Sequence, residues 1–238
     1  MTEQDISTLI AAGLAQLGLP AHAAPVLARY ETLLLEQNRS MNLTAITNPL
    51  QAAQLHILDS AALLNCASFD GRRVLDVGTG AGFPGMVLKL VQPELRLTLL
   101  DSLQKRMDWL REIAPALGAE DVCILHGRAE EYALMPEYRE QFDIVTSRAV
   151  AELRVLCELC LPFVKPGGVF LAMKGQRAQE EKDSAGRCIS ILGGRLEKDR
   201  SYRIPGTDIV HRVVCVRKEK NTPPAYPRRF AKIRKSPL

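Results

Sequence analysis

The sequence has no apolar run that approaches the length of a membrane-spanning helix, and its first five residues include two acidic side chains. A helical span needs about 20 consecutive apolar residues, and a secretory signal begins with basic residues. These absences argue against a helical membrane protein and against a secreted one. We therefore expect a cytoplasmic protein that does not bind membranes. The apolar content, 47%, is high enough for a buried core.

Cysteines are few and scattered, which argues against a disulfide framework. Two of the six, Cys157 and Cys160, form a C-x-x-C pair. A zinc site would need a second pair of ligands, and the surrounding residues predict a helix. We therefore expect packed, reduced thiols and no metal.

Basic residues are in deficit over most of the chain and concentrated at its end. Residues 217–238 hold eight Lys or Arg and one Glu, whereas the first 216 residues hold 23 basic and 26 acidic side chains. Such a basic segment favours a polyanionic partner. A solvated tail that only aids solubility is the alternative, and charge alone leaves both open.

Hydrophobic spacing predicts only helices in residues 1–66. Ile6, Ile10 and Leu14 recur at helical spacing, Pro25 is suited to open a second helix, and a third follows Asn48-Pro49. A polar stretch, residues 38–42, is expected to interrupt the pattern. We predict a helical extension over residues 1–66 and an irregular basic tail over residues 217–238.

Residues 67–216 alternate short apolar runs with helical segments. This alternation predicts a parallel sheet covered on both faces. The runs 195–203 and 209–216 predict an antiparallel pair joined around Pro205-Gly206. The expected fold is α/β and Rossmann-like, mostly parallel with an antiparallel last strand. Five candidate parallel strands are 74–77, 95–100, 122–125, 142–145 and 169–173.

A glycine-rich loop follows the first candidate strand. A dinucleotide fingerprint, G-x-G-x-x-G, would need a glycine where this chain has Phe83. Counted from Asp76, the loop with Gly78, Gly80 and Gly82 reads D-x-G-x-G-x-G, which is typical of S-adenosylmethionine methyltransferases. A carboxylate suits this cationic sulfonium ligand, which has no pyrophosphate to bind.

The sequence around the loop supports this cofactor. The next candidate strand ends at Asp101, 19 residues beyond Gly82, where a carboxylate accepts hydrogen bonds from both ribose hydroxyls. A second role for Asp101, capping the following helix, is compatible with the first. Residues 127–130, after the third strand, lie where an adenine pocket would be completed. We predict S-adenosyl-L-methionine as the cofactor.

Five motifs then occur in a fixed order: residues 38–46, 56–60, 76–85, 99–106 and 147–149. Together they resemble the RsmG/GidB family of bacterial 16S rRNA guanine-N7 methyltransferases, from about residue 30 to the tail. The N-L-T-A-I and H-I-L-D-S elements are specific to that family. The resemblance implies a class I methyltransferase fold and S-adenosylmethionine-dependent methylation of guanine N7 in the decoding-region loop of 16S rRNA. It also implies 16S rRNA, or the small ribosomal subunit, as the partner.

The resemblance further implies that Gly78, Phe83, Ala129, Glu130 and Arg148 occupy cofactor-contacting positions. Arg148 is alternatively an orienting group for the base or a member of an ion pair.

Substrate contacts are predicted for His56, Asn38 and Asn42. A structural histidine, and turn or cap asparagines, are the alternatives. The family often has Trp before the first asparagine, where this chain has Gln37, so the chain departs from the family pattern next to the predicted substrate contacts.

The basic tail is expected to follow phosphates, giving salt-dependent binding. The side chains predicted for this role are Arg228, Arg229, Lys232, Arg234 and Lys235.

Guanine N7 has an exposed lone pair, so its methylation needs alignment rather than deprotonation. We therefore expect no general base, with Arg148 and His56 as orienting groups. Residues 146–149 lack the Asn-Pro-Pro-aromatic motif used for exocyclic amines, and Asn221–Tyr226 has the wrong spacing for it. The target base is expected to be splayed out of its stack.

Three other functions compete with this prediction. A methyltransferase or aminopropyltransferase of the same fold, acting on another RNA or a small molecule, is disfavoured by the basic tail and the N-terminal motifs. An RNA-binding assembly factor without catalysis is disfavoured by the intact Asp76 loop and Asp101. An NAD-dependent dehydrogenase is disfavoured by Phe83. We expect a monomer.

Overall fold

The computed structural model describes residues 1–175 and 178–238. A π-helical stretch, Ala53–Leu58, joins α3 to α4, and short 3-10 turns cover Ala21–Ala23, Ala62–Cys66, Pro115–Leu117 and Leu161–Phe163. The helices are α1 (Glu3–Gln16), α2 (Ala24–Met41), α3 (Pro49–Ala52), α4 (Asp59–Ala61), α5 (Gly85–Val91), α6 (Gln104–Ile113), α7 (Ala129–Tyr132), α8 (Leu153–Cys160), α9 (Ala178–Ile191) and α10 (Phe230–Lys235). The strands are β1 (Arg73–Val77), β2 (Arg96–Asp101), β3 (Cys123–His126), β4 (Phe142–Arg148), β5 (Val164–Lys174), β6 (Gly194–Leu196), β7 (Arg200–Arg203) and β8 (Val210–Lys218).

The N-terminal helices begin and end at residues that the sequence marks. Thr2 and Asp5 form a reciprocal capping box at the start of α1. Pro25 lies in the first turn of α2, where its missing N–H costs nothing. The predicted interruption at residues 38–42 is wrong, because α2 continues to Met41. It ends at Asn42, whose φ of 52° is left-handed, a conformation that asparagine tolerates.

The strands form one sheet in the order β3-β2-β1-β4-β5-β8-β6, with β7 also paired to β8. Neighbours from β3 to β5 are parallel, whereas β8 is antiparallel to β5, β6 and β7. This confirms the mostly parallel sheet with an antiparallel last strand. The run 195–203 was predicted as one strand, but it contains parts of two, β6 and β7. Both pair with the same edge of β8, at different heights.

The core lies on both faces of the sheet. Val74 packs with the N-terminal helices and α5, whereas its neighbour Leu75 packs with α8 and α9 on the other face. Successive side chains of a strand point to opposite faces, so each strand contributes to two layers. The N-terminal helices are therefore one of the layers that cover the sheet.

The C-terminal segment is ordered by polar contacts, which corrects the prediction of an irregular tail. Lys218, fully buried at the end of β8, donates to the Leu161 carbonyl (2.6 Å) and the Thr222 hydroxyl (2.7 Å). Arg139 donates to the carbonyls of Thr222 and Tyr226. Helix α10 then buries Ile233 against the layer formed by α8 and α9.

The six cysteines are free thiols, and Cys157 and Cys160 are buried as predicted for packed side chains. Within residues 1–175 and 178–238, no group of three or more His, Cys, Asp or Glu side chains is arranged to hold a metal ion. Over the same ranges, every helix is too short or too polar to cross a bilayer.

Candidate functional site

The glycine loop after β1 is fixed from below by Asp76. This carboxylate is fully buried and accepts hydrogen bonds from the hydroxyls of Thr79 (2.6 Å) and Thr146 (3.0 Å) and from the backbone N–H of Gly85 (3.0 Å). Burial raises its pKa to about 6, because the charged form is disfavoured away from water. Asp76 was predicted to bind the cofactor. The structure instead places it beneath the loop, where it holds the loop in shape.

The loop is also tied to the N-terminal helices. The Tyr30 hydroxyl, on α2, donates to the Ala81 carbonyl. Gly82 has φ +97°, and a Cβ at this position would overlap the Tyr30 hydroxyl. Only glycine satisfies both the backbone conformation and this close approach.

A cavity of about 470 Å³ opens above the loop, at the carboxyl ends of β1 to β4. Open α/β sheets bind ligands at this edge. Four residues predicted to bind the cofactor line the cavity: Gly78, Asp101, Ala129 and Glu130. Gly80 and Gly82 shape the loop without lining it.

Asp101, at the end of β2, lines the cavity and holds two neighbouring backbone segments. Its Oδ2 accepts from the Gly80 N–H (2.9 Å) and its Oδ1 from the Leu103 N–H (2.9 Å), so it orders both the loop and the entry to α6. The side chain of Asp101 is 8% exposed. A carboxylate has about four acceptor positions, so two remain for a ligand in the cavity.

One wall of this cavity was not predicted from the sequence. Phe230, the first residue of α10, lines it, and the Arg128 guanidinium lies 5.8 Å from the Phe230 ring centroid. The C-terminal segment therefore reaches the cavity, although Phe230 is distant from every other cavity residue in sequence.

Phe83 lies outside the cavity and is 5% exposed. The His56 ring stacks on it with centroids 4.8 Å apart, and the Arg148 guanidinium carbon lies 5.1 Å from its centroid. Tyr30 packs on it as well, at 5.3 Å. The Phe83 ring thus connects the glycine loop to His56 of the H-I-L-D-S motif and to Arg148 of the motif at residues 147–149.

Arg148 links those motifs by hydrogen bonds. Its Nη1 donates to the Leu55 carbonyl (3.0 Å) and to Asp59 Oδ2 (3.2 Å), and its Nη2 lies 3.2 Å from His56 Nδ1. Arginine is only a donor, so Nδ1 of His56 is unprotonated. The proton is on Nε2, which donates to the Thr44 hydroxyl at 2.7 Å.

Asp59 holds the other side of this network. It also accepts from the Tyr202 hydroxyl (2.7 Å) and pairs with His211 (2.8 Å). Burial opposes its ionisation, but the hydrogen bond from His211 and the Arg148 charge hold the pKa of Asp59 below its usual range. The hydrogen bond to Asp59 in turn raises the pKa of His211.

The asparagines of the N-L-T-A-I region have turn and cap positions. Asn38 Oδ1 accepts from the Thr44 N–H at 2.8 Å, so it orders the residue whose hydroxyl accepts the hydrogen bond from His56. Asn42 is exposed and ends α2. Gln37 is half-buried, one residue before Asn38.

His56, which is half-buried, is expected to make the stability of the fold sensitive to acid. Burial, reinforced by the Arg148 charge, lowers its pKa from 6.5 to about 4. Between these values the unfolded chain binds a proton that the folded chain does not. The stabilisation is therefore complete above pH 6.5 and is lost as the pH falls to 4, by about 3 kcal/mol.

His56→Gln is expected to remove this contribution. Denaturant unfolding should show that the free energy of unfolding falls less between pH 6.5 and pH 4 in the variant than in the parent chain. Asp76, whose raised pKa acts in the opposite direction, is present in both and cancels in the comparison. His22→Gln, at an exposed histidine, is the matched control. If the free energy of unfolding falls equally in His56→Gln and in the parent, the lowered pKa of His56 is contradicted.

A second cavity, of about 530 Å³, adjoins the first. Ala149 and Val150 line both cavities, so the two cavities meet there. Ala149 has φ +57°, unusual for a residue with a side chain. The polar lining of the second cavity consists of His56, Asp59, Arg148, Glu152, Lys174, Glu181 and His211.

The predicted RNA-binding cations divide into two groups. Arg228 is directed inward, where Nη2 and Nε donate to the buried Glu158 at 2.6 and 2.8 Å and its side chain is only 15% exposed. The other four, Arg229, Lys232, Arg234 and Lys235, are exposed.

The sequence motifs that build the two cavities match a known protein family. The family model described as GidB, rRNA small subunit methyltransferase G, matches residues 24–202. This chain belongs to the GidB family. The GidB match includes the Asn38, His56, Asp76, Asp101 and Arg148 motifs, so the resemblance predicted from the sequence is confirmed.

Two GidB relatives are similar over nearly the whole chain. The ribosomal RNA small subunit methyltransferase G of Symbiobacterium thermophilum is 48% identical over 238 residues, covering 97% of both chains. That of Lachnoclostridium phytofermentans is 44% identical, covering 99% of this chain and 98% of its own.

Solved structures confirm the fold of this GidB chain. An S-adenosylmethionine-dependent methyltransferase from Aquifex aeolicus aligns with a TM-score of 0.52 at 19% identity, over 70% of this chain and 92% of its own. The cyclase SpnF aligns at 0.54 and 16%, over 71% and 82%. The class I methyltransferase fold is therefore present. Because a cyclase shares it, the fold alone does not decide the reaction.

Proposed function

We propose that this chain methylates guanine N7 in the decoding-region loop of 16S rRNA, with S-adenosyl-L-methionine as methyl donor. The observation that carries the proposal is the junction of the two cavities at Ala149 and Val150. One cavity is built from the glycine loop and Asp101, and the other includes Arg148 and His56, which belongs to the family-specific H-I-L-D-S motif. Two sites that meet at shared lining residues suit transfer of a small group between two bound molecules.

The first cavity suits S-adenosylmethionine. Its volume lies in the usual range for small-ligand sites, roughly 300–1,000 Å³. Asp101 has acceptor positions left for ribose hydroxyls, and Gly78 leaves room for the Val150 side chain, which a Cβ at Gly78 would overlap. Ala129 and Glu130 would border the adenine, with Phe230 as an apolar wall. The bound cofactor supplies an electrophilic methyl group.

The second cavity suits the target base. Guanine N7 has its own lone pair, so the protein has only to orient the base and exclude water. His56 is neutral, because its Nδ1 accepts from Arg148 and its Nε2–H donates to the Thr44 hydroxyl, so both ring nitrogens are used in positioning. Arg148 is held by Asp59 and Leu55, so its position is fixed before any substrate binds. Both residues thus shape the base site without acting as a general base.

The exposed cations of the tail suit rRNA phosphates. Arg229, Lys232, Arg234 and Lys235 extend from the wall of the cofactor cavity, since they flank Phe230 or share α10 with it. Phosphate contacts of this kind add affinity without reading sequence. Arg228 is left out of this group because Glu158 neutralises it.

The function is tested by incubating the purified protein with S-adenosylmethionine and small ribosomal subunits from a strain lacking the corresponding gene. Mass-spectrometric mapping should then find a new 7-methylguanosine in the decoding-region loop. Naked 16S rRNA is run in parallel. Methylation of another RNA alone, or a full complement of 7-methylguanosine in the gene-deleted strain, would contradict the substrate assignment.

Phe230→Ala is expected to weaken S-adenosylmethionine binding by about tenfold. It removes an aromatic wall whose packing is worth roughly 1 kcal/mol or more. Calorimetric titration measures the change, and Phe230→Leu, which keeps an apolar wall, should lose less. Equal affinities in all three proteins would exclude Phe230 from the cofactor site.

A further inference from the structure

A cavity of about 820 Å³ lies at the edge of the sheet opposite the candidate active site. Asp143 at the start of β4 and the first residues of β5 line it, whereas the methyl-transfer cavities lie at the other ends of these strands. The five-residue β1 separates the two edges by about 17 Å, at roughly 3.3 Å per residue. A single small molecule does not occupy both edges.

Basic side chains dominate the rim of this cavity. It is lined by six cations, Arg72, Lys165, Arg195, Lys198, Arg200 and Arg217, and by two carboxylates, Asp143 and Glu197. This excess is notable because the first 216 residues as a whole are acidic.

The carboxylates neutralise only part of the rim. Asp143 lies 2.6 Å from Lys165 and 3.5 Å from Arg72, and Glu197 lies 3.0 Å from Arg217. Arg195 pairs with Glu219, which lies outside the lining. In the part of the chain that the structure describes, Lys198 and Arg200 have no carboxylate within 4.0 Å. Both are exposed.

The floor of the cavity is apolar. Ile144, Val169, Leu171 and Cys215, from neighbouring strands, line it on the face that the N-terminal helices cover elsewhere. Burial raises the pKa of Cys66, which lies beside Cys215, so this thiol is neutral. An apolar floor within a cationic rim matches a nucleotide, whose base has two apolar faces and whose phosphates are anionic.

We propose that this cavity is a second docking site for the RNA substrate, taking a looped-out or single-stranded nucleotide of the small-subunit RNA. Lys198 and Arg200 would contact its phosphates. The inference rests on the proposed function for the identity of the polymer. It adds that the RNA contacts both edges of the sheet, so recognition is not confined to the tail and the base cavity.

The test is the double variant Lys198→Glu/Arg200→Glu, with Arg187→Glu as the control. Arg187 is an exposed cation on α9, the helix that packs on the other face of the sheet. Binding to 16S rRNA and to small subunits is measured by fluorescence anisotropy between 50 and 300 mM KCl. Two lost phosphate contacts should weaken binding about tenfold or more and lower the slope of log Kd against log salt by at least about 1.4. S-adenosylmethionine affinity should not change.

The outcomes separate this proposal from the proposed function. If the parent chain methylates the small-subunit RNA and the double variant binds like Arg187→Glu, the second docking site is refuted and the function stands. If the double variant loses affinity only for assembled subunits, the cavity contacts a ribosomal protein, which also refutes RNA docking. The milder Lys198→Ala/Arg200→Ala pair, checked by thermal unfolding, ensures that any loss reflects binding rather than misfolding.

Discussion

Arg228→Ala is expected to destabilise the folded protein by roughly 3–5 kcal/mol, as is typical when one partner of a buried ion pair is removed. Glu158 is fully buried, and its carboxylate accepts from the backbone N–H (2.9 Å), Nε (2.8 Å) and Nη2 (2.6 Å) of Arg228. Without the guanidinium the carboxylate keeps one hydrogen bond, and its charge is uncompensated. Denaturant unfolding measures the loss.

Arg229 supplies the matched control for this prediction. It is the next residue, carries the same charge and is exposed, so Arg229→Ala should leave the free energy of unfolding unchanged and weaken RNA binding only modestly. The double change Glu158→Leu/Arg228→Met should recover much of the lost stability, because it replaces the ion pair by apolar packing. Equal free energies of unfolding for Arg228→Ala and Arg229→Ala would contradict the structural role of the ion pair with Glu158. Arg228 would then again be counted among the RNA-binding cations.

Asp101→Ala is expected to weaken S-adenosylmethionine binding by at least about 100-fold. Hydrogen bonds to a charged acceptor are worth roughly 1.5–3 kcal/mol each, and two ribose hydroxyls would lose theirs. The variant also frees the Gly80 and Leu103 N–H groups that order the loop and the entry to α6. Calorimetric titration with S-adenosylmethionine is the measurement.

Two further variants make the result specific. Asp108→Ala removes an exposed carboxylate from α6, the helix that Asp101 leads into, and should leave cofactor affinity unchanged. Asp101→Asn keeps the Oδ1 acceptor and should fall between the parent chain and Asp101→Ala. If Asp101→Ala binds the cofactor as tightly as Asp108→Ala does, the ribose assignment fails.

The sheet and the position of the cofactor cavity at its edge were predictable because short stretches of sequence specify them. Buried parallel strands appear as short apolar runs, and Asp101 stands at the end of one of them. Parallel topology then brings Gly78, Asp101 and Ala129 to the same edge without any knowledge of side-chain contacts. The order β3-β2-β1-β4-β5 does not follow from this alternation, which is compatible with several orders of parallel strands.

The roles of Arg228 and Asp76 were not predictable in the same way. Arg228 belongs to a basic run in which each cation looks alike, and its partner, Glu158, is 70 residues away. Asp76 has the sequence position of a ligand-binding carboxylate, but two threonine hydroxyls and a backbone N–H already use it. Pairing over such separations depends on packing that no local pattern encodes. Phe230 and the contacts of Tyr202 and His211 with Asp59 are missed for the same reason.

The hydrogen bond from Tyr30 to Ala81 has a consequence for how this protein can be divided. The residue that receives it belongs to the cofactor loop, and the residue that donates it belongs to the N-terminal helices. A fragment without those helices would lose the contact that shapes the loop and would expose the Phe83 ring, on which Tyr30 and His56 pack. The helical segment is thus not an interchangeable module: exchanging it between relatives to change which RNA is recognised would also change how tightly the methyl donor is bound.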